Sequence, residues 1–201
     1  MFELSSDLKN PLFLQTVFFI IWTPVFWNIV CPLEYKTKFI LRTFGDKYRA
    51  CYFLSAVIFI NSNFRNIWFF RFLMSCTRVD EAKMTLFGVG LVFFVAGFLL
   101  ATAAMRALGI TGTYFGDHFG IFHPSKITGY PFNLLNNPMY FGTFLQFFGA
   151  ALAFRSPVGL FMSGLVLGSY YLFSTLFEEP FTDMIYLKKA EAESREMAKM
   201  K

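Results

Sequence analysis

The chain has 201 residues, a formal net charge of +5 and a mean hydropathy of +0.50. Hydrophobic residues make up 56% of the sequence and charged residues only 15%, whereas soluble domains contain about 25% charged residues. This composition excludes an ordinary soluble domain. Nucleic-acid binding is not indicated either, because no basic cluster is interleaved with aromatic residues in a polar context. The basic charge is instead typical of membrane loops that follow the positive-inside rule.

Four windows of the sequence lack Asp, Glu, Lys, Arg and His, and each is longer than the roughly 20 residues that a spanning helix needs. They are residues 10–33, 84–105, 127–154 and 156–177. A fifth apolar segment, 50–70, contains Arg65, which must face protein or extend to the membrane interface. We therefore predict an all-α integral membrane protein with four to five transmembrane helices in a single domain, 1–201. The predicted apolar segments are about 11–33, 50–70, 84–105, 139–154 and 158–177.

Prolines set the limits of several predicted helices. Pro24 lies within the first segment, which either spans the membrane or is re-entrant. Pro138 and the earlier Pro131 prevent the fourth helix from starting before Met139. Pro180 is expected to end the last helix.

The distribution of basic residues predicts the orientation. Residues 34–49 are expected to form a loop that carries five basic residues. If all five segments cross, this loop, the 106–128 loop and the tail lie on one side with twelve basic residues, against six on the other side. The side with more Lys and Arg is expected to be cytosolic, and the carboxy terminus is then cytosolic too. A re-entrant first segment changes only the position of the amino-terminal end.

A polar, glycine-rich stretch, 108–140, interrupts the apolar runs and contains both histidines of the chain. In the predicted topology this stretch, the helix that starts at Met139 and the end of the last helix meet at the cytosolic face. A water-soluble cosubstrate and a membrane lipid can both reach that face. We therefore predict an active site there.

Two adjacent carboxylates, Glu178 and Glu179, directly follow the last charge-free window. The carboxy end of a helix already carries negative partial charge, so this position is electrostatically unfavourable for an acid. Two interpretations are open: the pair marks the water boundary, or it attracts a cationic ligand at low dielectric.

Further candidate site residues lie in the glycine-rich stretch. Asn137 precedes Pro138 at a helix start, where it caps free backbone amides or helps them to bind a ligand. The hydroxyl of Tyr140 follows within the first turn. Asp117 and His118 are adjacent ionisable residues in the glycine-rich loop, and either is a solvated loop residue or a general base.

Other motifs do not indicate a function of their own. The three cysteines, Cys31, Cys51 and Cys76, have no metal-binding spacing, so no metal site is predicted. The Gly88-Val89-Gly90 sequence lacks the preceding strand and third glycine of a dinucleotide-binding fingerprint. We interpret these glycines as sites of close helix packing, with a contribution to a ligand cleft left open.

Five blocks of the sequence together resemble the phosphatidylethanolamine/phospholipid N-methyltransferases of the endoplasmic reticulum, almost end to end. The blocks are PVFWNIVCPLEYKTK (24–38), ACYFLSA (50–56), LGITGTYFGDHFGI (108–121), YPFNLLNNPMYFGT (130–143) and EEPFTDMIY (178–186). The resemblance implies methyl transfer from S-adenosyl-L-methionine to phosphatidylethanolamine or its mono- and dimethyl derivatives, which gives phosphatidylcholine. It also implies an endoplasmic reticulum membrane location.

The resemblance implies a cofactor site as well. In the family this site is formed by a Gly-x-Gly element and a Glu-Glu pair, which Glu178 and Glu179 match. The Gly-x-Gly element falls on residues 95–97, where Ala96 and Gly97 match and Val95 replaces the first glycine. Either Gly97 or the Gly88 and Gly90 pair lines the cofactor cleft.

The family comparison also bears on the acceptor side. Relatives commonly have Tyr at the position of His118, so Asp117 is the preferred base, with Tyr140 beside it; Asn137 is assigned to the cofactor side. Two alternatives remain open. One is a membrane methyltransferase for another acceptor, such as a prenylcysteine carboxylate, and the other is a non-enzymatic lipid-binding protein.

Overall fold

The computed structural model describes residues 7–76, 84–123 and 127–200, and every regular element within these ranges is helical. The α-helices are α1 (Pro11–Thr37), α2 (Phe39–Phe44), α3 (Lys47–Cys76), α4 (Met84–Thr113), α5 (Pro138–Ala153), α6 (Pro157–Phe173) and α7 (Glu179–Lys199). A 3₁₀ helix spans Gly116–Phe119, and a π-helical turn, Ser174–Glu178, joins α6 to α7. The predicted all-α fold is confirmed for the described residues.

Three helical stretches of the described chain are long and apolar enough to cross a membrane, judged by length and composition. They are Pro11–Thr37, Thr85–Phe119 and Pro157–Lys199. Helix α5 has 16 residues and therefore rises about 24 Å, less than the roughly 30 Å of a bilayer core. Several apolar helices thus establish a membrane protein, while the predicted number of four to five spans stays a prediction.

The predicted loop at 34–49 is wrong, because most of this segment is helical. Helix α1 continues to Thr37, and α2 follows after a single residue, Lys38, in the left-handed conformation with φ of 54°. The reason is Glu34, which is buried. Its carboxylate accepts hydrogen bonds from the backbone amides of Ile40 at 2.7 Å and Leu41 at 3.0 Å. These amides lie at the start of α2, where backbone donors have no partner within the helix.

The predicted helix end at Pro180 is also wrong. The chain passes from α6 through the π turn directly into α7, which continues to Lys199. Pro180 occupies the first turn of α7. The missing amide of a proline is tolerated in a first turn, because this position needs no intrahelical donor bond.

Helices α1 and α3 pack antiparallel. At one end the Asn10 side chain donates to Ser75 Oγ at 2.7 Å. Further along, the Thr16 hydroxyl donates to the Trp68 carbonyl at 3.2 Å, and the Phe19 ring stacks on the Trp68 ring at 5.8 Å. Polar and aromatic contacts therefore hold the second half of α3 against the first half of α1.

Helices α4 and α5 also pack antiparallel, and their backbones touch at glycines. A Cβ atom on Gly97 would collide with the Gly142 carbonyl, and one on Gly90 would lie 2.5 Å from the Gly149 carbonyl. A Cβ on Gly88 would meet no atom of the described residues within 4 Å. The predicted packing role is thus confirmed for Gly90 and is wrong for Gly88. Small residues allow this approach because no side chain separates the two backbones.

Candidate functional site

The site is centred on a hydrogen bond between two elements far apart in sequence. Tyr140 lies in the first turn of α5, and its hydroxyl donates to Glu178 Oε2 at 2.6 Å. This distance is typical of a charge-assisted bond to a carboxylate. The Tyr140 ring is held in place by stacking on Tyr170 at 4.5 Å and on Trp27 at 6.4 Å between ring centroids. The predicted meeting of the Met139 helix start and the Glu178 end is therefore present.

The second carboxylate, Glu179, is tied to the same helix start. Its Oε1 accepts the Ser174 hydroxyl at 3.0 Å and the Asn137 side-chain amide at 3.2 Å. Asn137 does not cap α5 with its side chain. Of the two uses predicted for Asn137, side-chain capping is wrong, and a part in ligand binding stays a prediction.

A π turn directly precedes the two glutamates and sets the direction in which each of them points. In Ser174–Glu178 the Glu179 amide bonds to the Ser174 carbonyl, five residues back rather than four. The extra residue shifts the helical phase of everything that follows. As a result Glu178 faces Tyr140 while Glu179, which is exposed, reaches Asn137 and Ser174. π turns occur frequently at functional sites.

The glycine-rich loop is folded tightly by unusual backbone conformations. Gly109 breaks the end of α4 with φ of 67° and ψ of 178°, and Phe115 and Gly120 flank the 3₁₀ helix in the left-handed region. A Cβ on Gly116 would lie 2.7 Å from the Thr111 carbonyl oxygen. The His123 ring bonds to the Leu108 carbonyl at 2.9 Å, which ties the end of the loop to its start.

Asp117 and His118 form a pair within this loop. Asp117 Oδ1 accepts the His118 backbone amide at 3.0 Å and lies 2.9 Å from His118 Nδ1. The imidazole is buried and stacks on Phe181 of α7 at 5.2 Å, and the His118 carbonyl accepts Lys38 Nζ at 3.0 Å. His118 therefore anchors the loop to α7 and to the α1–α2 turn, and it fixes the orientation of Asp117.

Asp117 and Glu178 line one cavity of about 250 Å³, which we call the loop cavity. Its other lining residues include Thr111, Gly112, Gly116 and Thr182. The cavity therefore combines two carboxylates, hydroxyl groups and glycine backbone. Carboxylates and exposed backbone suit a ligand that carries positive charge and hydroxyl or amino groups.

Ala96 and Gly97 lie elsewhere. Gly97 is buried against Gly142, and Ala96 is exposed on α4. Neither lines the loop cavity, whose α4 residues begin at Leu108. Their assignment to the cofactor site stays a prediction.

Sequence reasoning missed several residues that shape the site. Ser174 is buried and bonds to Glu179, but no pattern distinguishes it from other serines in an apolar helix. The stack of Trp27 and Tyr170 was also missed, since it joins α1 to α6. Lys38 had a detectable signal, because it closes the 24–38 block that matches the family.

The fold and the site together describe a helical membrane protein in which two carboxylates, Asp117 and Glu178, face a small polar cavity. A scan against protein-family models matches residues 85–189 to the phospholipid methyltransferase family. The comparison with solved structures found no significant match.

Curated relatives match over nearly the whole chain. A phosphatidylethanolamine N-methyltransferase of Rattus norvegicus is 38% identical over 92% of this chain and 92% of its own length. Phosphatidyl-N-methylethanolamine N-methyltransferases of Saccharomyces cerevisiae (38% identical, 94% of this chain and 91% of the relative) and Emericella nidulans (37%, 97% and 93%) are also similar. The chain belongs to the phospholipid methyltransferase family and is a methyltransferase enzyme that N-methylates phospholipids. The resemblance inferred from the sequence blocks is confirmed.

Proposed function

We propose that this enzyme transfers methyl groups from S-adenosyl-L-methionine to the amine of phosphatidylethanolamine, or of its mono- and dimethyl derivatives, in the formation of phosphatidylcholine. The observation that carries this proposal is the loop cavity, in which Asp117 and Glu178 face the same space while Tyr140 holds Glu178. The names of the relatives supply the acceptor class.

The residues of the loop cavity fit the methyl donor. S-adenosylmethionine supplies a methyl group bonded to a positively charged sulfur, which a neutral amine can attack. Glu178 would hold positive charge in the cavity, because its carboxylate is oriented by Tyr140 and faces the enclosed space beside Asp117. Glu179 and Asn137 would bind polar groups at the rim, and Gly112 and Gly116 leave the backbone accessible. We also keep Ala96 and Gly97 in this proposal, as residues that would form part of the cofactor cleft.

Asp117 and Tyr140 act on the acceptor in this proposal. The ammonium of the lipid must lose a proton before its nitrogen can attack, and the Asp117 carboxylate would accept that proton. His118 keeps Asp117 in one orientation through two contacts to Oδ1. Tyr140 donates its own hydrogen to Glu178, so its role is to position that carboxylate and the amine beside it.

We further propose that 1–201 is one membrane-embedded domain in the endoplasmic reticulum membrane. In this topology α3 and α5 cross together with the three helical stretches that are long and apolar enough to do so. The carboxy-terminal helix and the site are cytosolic, as the excess of basic residues on that side favours.

A lipid-labelling assay tests the proposed function. Membranes from host cells that lack phospholipid methylation, with and without this chain, are incubated with methyl-labelled S-adenosylmethionine, and lipids are then separated from protein. We expect label in mono-, di- or trimethylated phosphatidylethanolamine only when the chain is present. Label confined to prenylated protein, or no label at all, would contradict the proposal and favour the other acceptor or a non-enzymatic role, respectively.

Asp117→Asn should separate the acceptor step from cofactor binding. The amide keeps the shape of the side chain but is a far weaker base, so we expect the turnover number to fall by about 100-fold or more. Binding of S-adenosylmethionine, measured by equilibrium dialysis, should persist. Asp183→Asn, at an exposed position of α7, is the matched control and should leave turnover unchanged. Full activity of Asp117→Asn would instead indicate an acceptor that needs no deprotonation.

A further inference from the structure

Arg65 is an arginine buried in the middle of α3, with 4% of its surface exposed. Among the described residues no carboxylate lies within ion-pair distance of it. A buried charge without a counterion is costly, and ionisable residues inside membrane proteins commonly mark the path of a substrate. Of the two positions predicted for Arg65, facing protein or extending to the membrane interface, the first is observed.

The guanidinium of Arg65 is oriented but not saturated. Its Nε and Nη2 donate to Asn66 Oδ1 at 3.2 and 3.0 Å, and its Nη1 donates to the Tyr170 hydroxyl. The group also lies over the Phe147 ring, 4.9 Å from the centroid. A guanidinium has five N–H donors in a planar fork, so these bonds leave two donors for a ligand.

Arg65 lines a cavity of about 150 Å³, which we call the aromatic cavity because Trp27, Tyr140 and Tyr170 form much of its wall. Two further polar atoms of its lining residues are buried and have no hydrogen-bond partner within the described parts of the chain, Trp27 Nε1 and Thr113 Oγ1. Buried polar groups are nearly always paired, so unpaired ones indicate a missing partner. An N–H, a hydroxyl and a guanidinium can all donate to one anionic acceptor.

The aromatic cavity lies between two others. It shares Thr113 and Phe115 with the loop cavity, and Tyr140 on its wall donates to Glu178 of that cavity. On the other side it shares Arg65 and Thr143 with a cavity of about 230 Å³ between α3, α4 and α5. Four phenylalanines line this third space, which we call the phenylalanine cavity: Phe69, Phe70, Phe94 and Phe147.

This order matches the order of groups in the proposed acceptor. From the loop cavity outward, the chain offers carboxylates, then a cation with free donors, then a space in which four phenylalanine rings alternate with polar side chains. A phosphatidylethanolamine-type lipid presents an amine, then a phosphodiester anion, then its acyl chains. We propose that Arg65, with Trp27 and Thr113, binds the phosphodiester of the acceptor lipid and thereby places its amine toward Tyr140 and Asp117. This inference rests on the proposed function and adds the subsite that selects a phospholipid.

The test uses purified full-length protein and an acceptor whose phosphate can be neutralised. The probes are dioctanoyl phosphatidyl-monomethylethanolamine and the same lipid with its phosphate blocked as an O-methyl triester. Methyl transfer gives KM for each lipid, and the ligand-induced rise in melting temperature reports binding without turnover. The variants are Arg65→Gln and Arg65→Lys, with Arg71→Gln as the control because Arg71 is an exposed cation on the same helix.

For the wild type we expect KM for the triester to exceed that for the diester by about 30-fold or more, the usual size of a lost buried charge contact. Arg65→Gln should raise KM for the diester similarly and should lose the discrimination between the two lipids. Arg65→Lys should be intermediate, since it keeps the charge but not the fork. Arg71→Gln should behave like the wild type. Equal use of both lipids by the wild type, which requires no variant to fold, would overturn the inference, as would retained discrimination in Arg65→Gln.

Two further outcomes separate the sources of failure. If inorganic phosphate raises the melting temperature as much as the diester lipid does, and only when Arg65 is present, the subsite binds a free anion and the lipid assignment is wrong. If the wild type binds the diester better than the triester but methylates no phospholipid, the subsite stands and the proposed function fails. Unchanged binding of S-adenosylmethionine in Arg65→Gln shows that the variant is folded.

Discussion

Glu178→Gln should lower kcat/KM for phospholipid methylation by about 30-fold to a few thousand-fold, the range expected when one partner of a buried charge pair is removed. Gln has nearly the shape of Glu and still accepts the Tyr140 hydroxyl, so the 2.6 Å contact that orients the side chain is largely retained. The negative charge that faces the loop cavity is lost. Binding of S-adenosylmethionine by equilibrium dialysis and label transfer to lipid measure the two consequences.

Glu179→Gln should have a smaller effect. Glu179 is exposed, and a neutral amide oxygen still accepts from Asn137 and Ser174. Glu196→Gln, in the exposed tail of α7, is the matched control for expression and insertion. Methyl transfer by Glu178→Gln at the wild-type rate would remove Glu178 from the cofactor site.

Gly97→Ala should destabilise the protein by about 1–3 kcal/mol, the usual cost of forcing an extra methyl group into a packed interface. The added Cβ would meet the Gly142 carbonyl, the Gln146 amide and the Leu145 side chain. Two of these three atoms belong to the backbone of α5, so they cannot move away without separating the helices. A lower melting temperature in detergent, at equal expression, is the measurement.

Gly88→Ala is the matched control. Gly88 lies on the same helix as Gly97, but a Cβ there meets no atom of the described residues within 4 Å. Its melting temperature should equal that of the wild type or rise slightly, since alanine favours helix more than glycine does. Equal stability of Gly97→Ala and Gly88→Ala would contradict the close contact of α4 and α5. The affinity for S-adenosylmethionine should also be compared between the two variants. A loss in only one of them would show which glycine element contributes to the cofactor cleft.

Much of the helical layout could be predicted because membrane helices carry a strong signal. The predicted segments located both ends of α1, α5 and α6 to within four residues, whereas α4 starts at the predicted residue and continues eight residues beyond its predicted end, to Thr113. One error occurred where the charge composition of a segment was overridden by specific side-chain hydrogen bonds. Residues 34–49 contain several charges and therefore resembled a loop, but the buried Glu34 caps α2 and keeps the segment helical. These bonds span only six and seven residues, but a glutamate at this distance before a helix start is not one of the usual capping patterns.

The candidate site was predictable in part for a similar reason. Topology alone brings Tyr140 and Glu178 to one end of the molecule, and the structure joins them by a hydrogen bond. The role of Arg65 could not be predicted, because its cavity is assembled from five separate parts of the chain. An arginine in an apolar helix is visible in the sequence. The buried Trp27 Nε1 and Thr113 Oγ1 beside it, which lack a hydrogen-bond partner among the described residues, are not.

The π turn has a consequence for how mutations in this region act. Each α-helical residue rotates the chain by about 100°. If a mutation converted Ser174–Glu178 to regular α-helix without changing the chain length, Glu178 and all of α7 would turn by about that angle relative to α6, and Glu178 would no longer point at Tyr140. Both glutamates would remain in the sequence, yet they would face other parts of the protein. The helical phase between α6 and the two glutamates therefore matters for the site as much as the presence of the glutamates does.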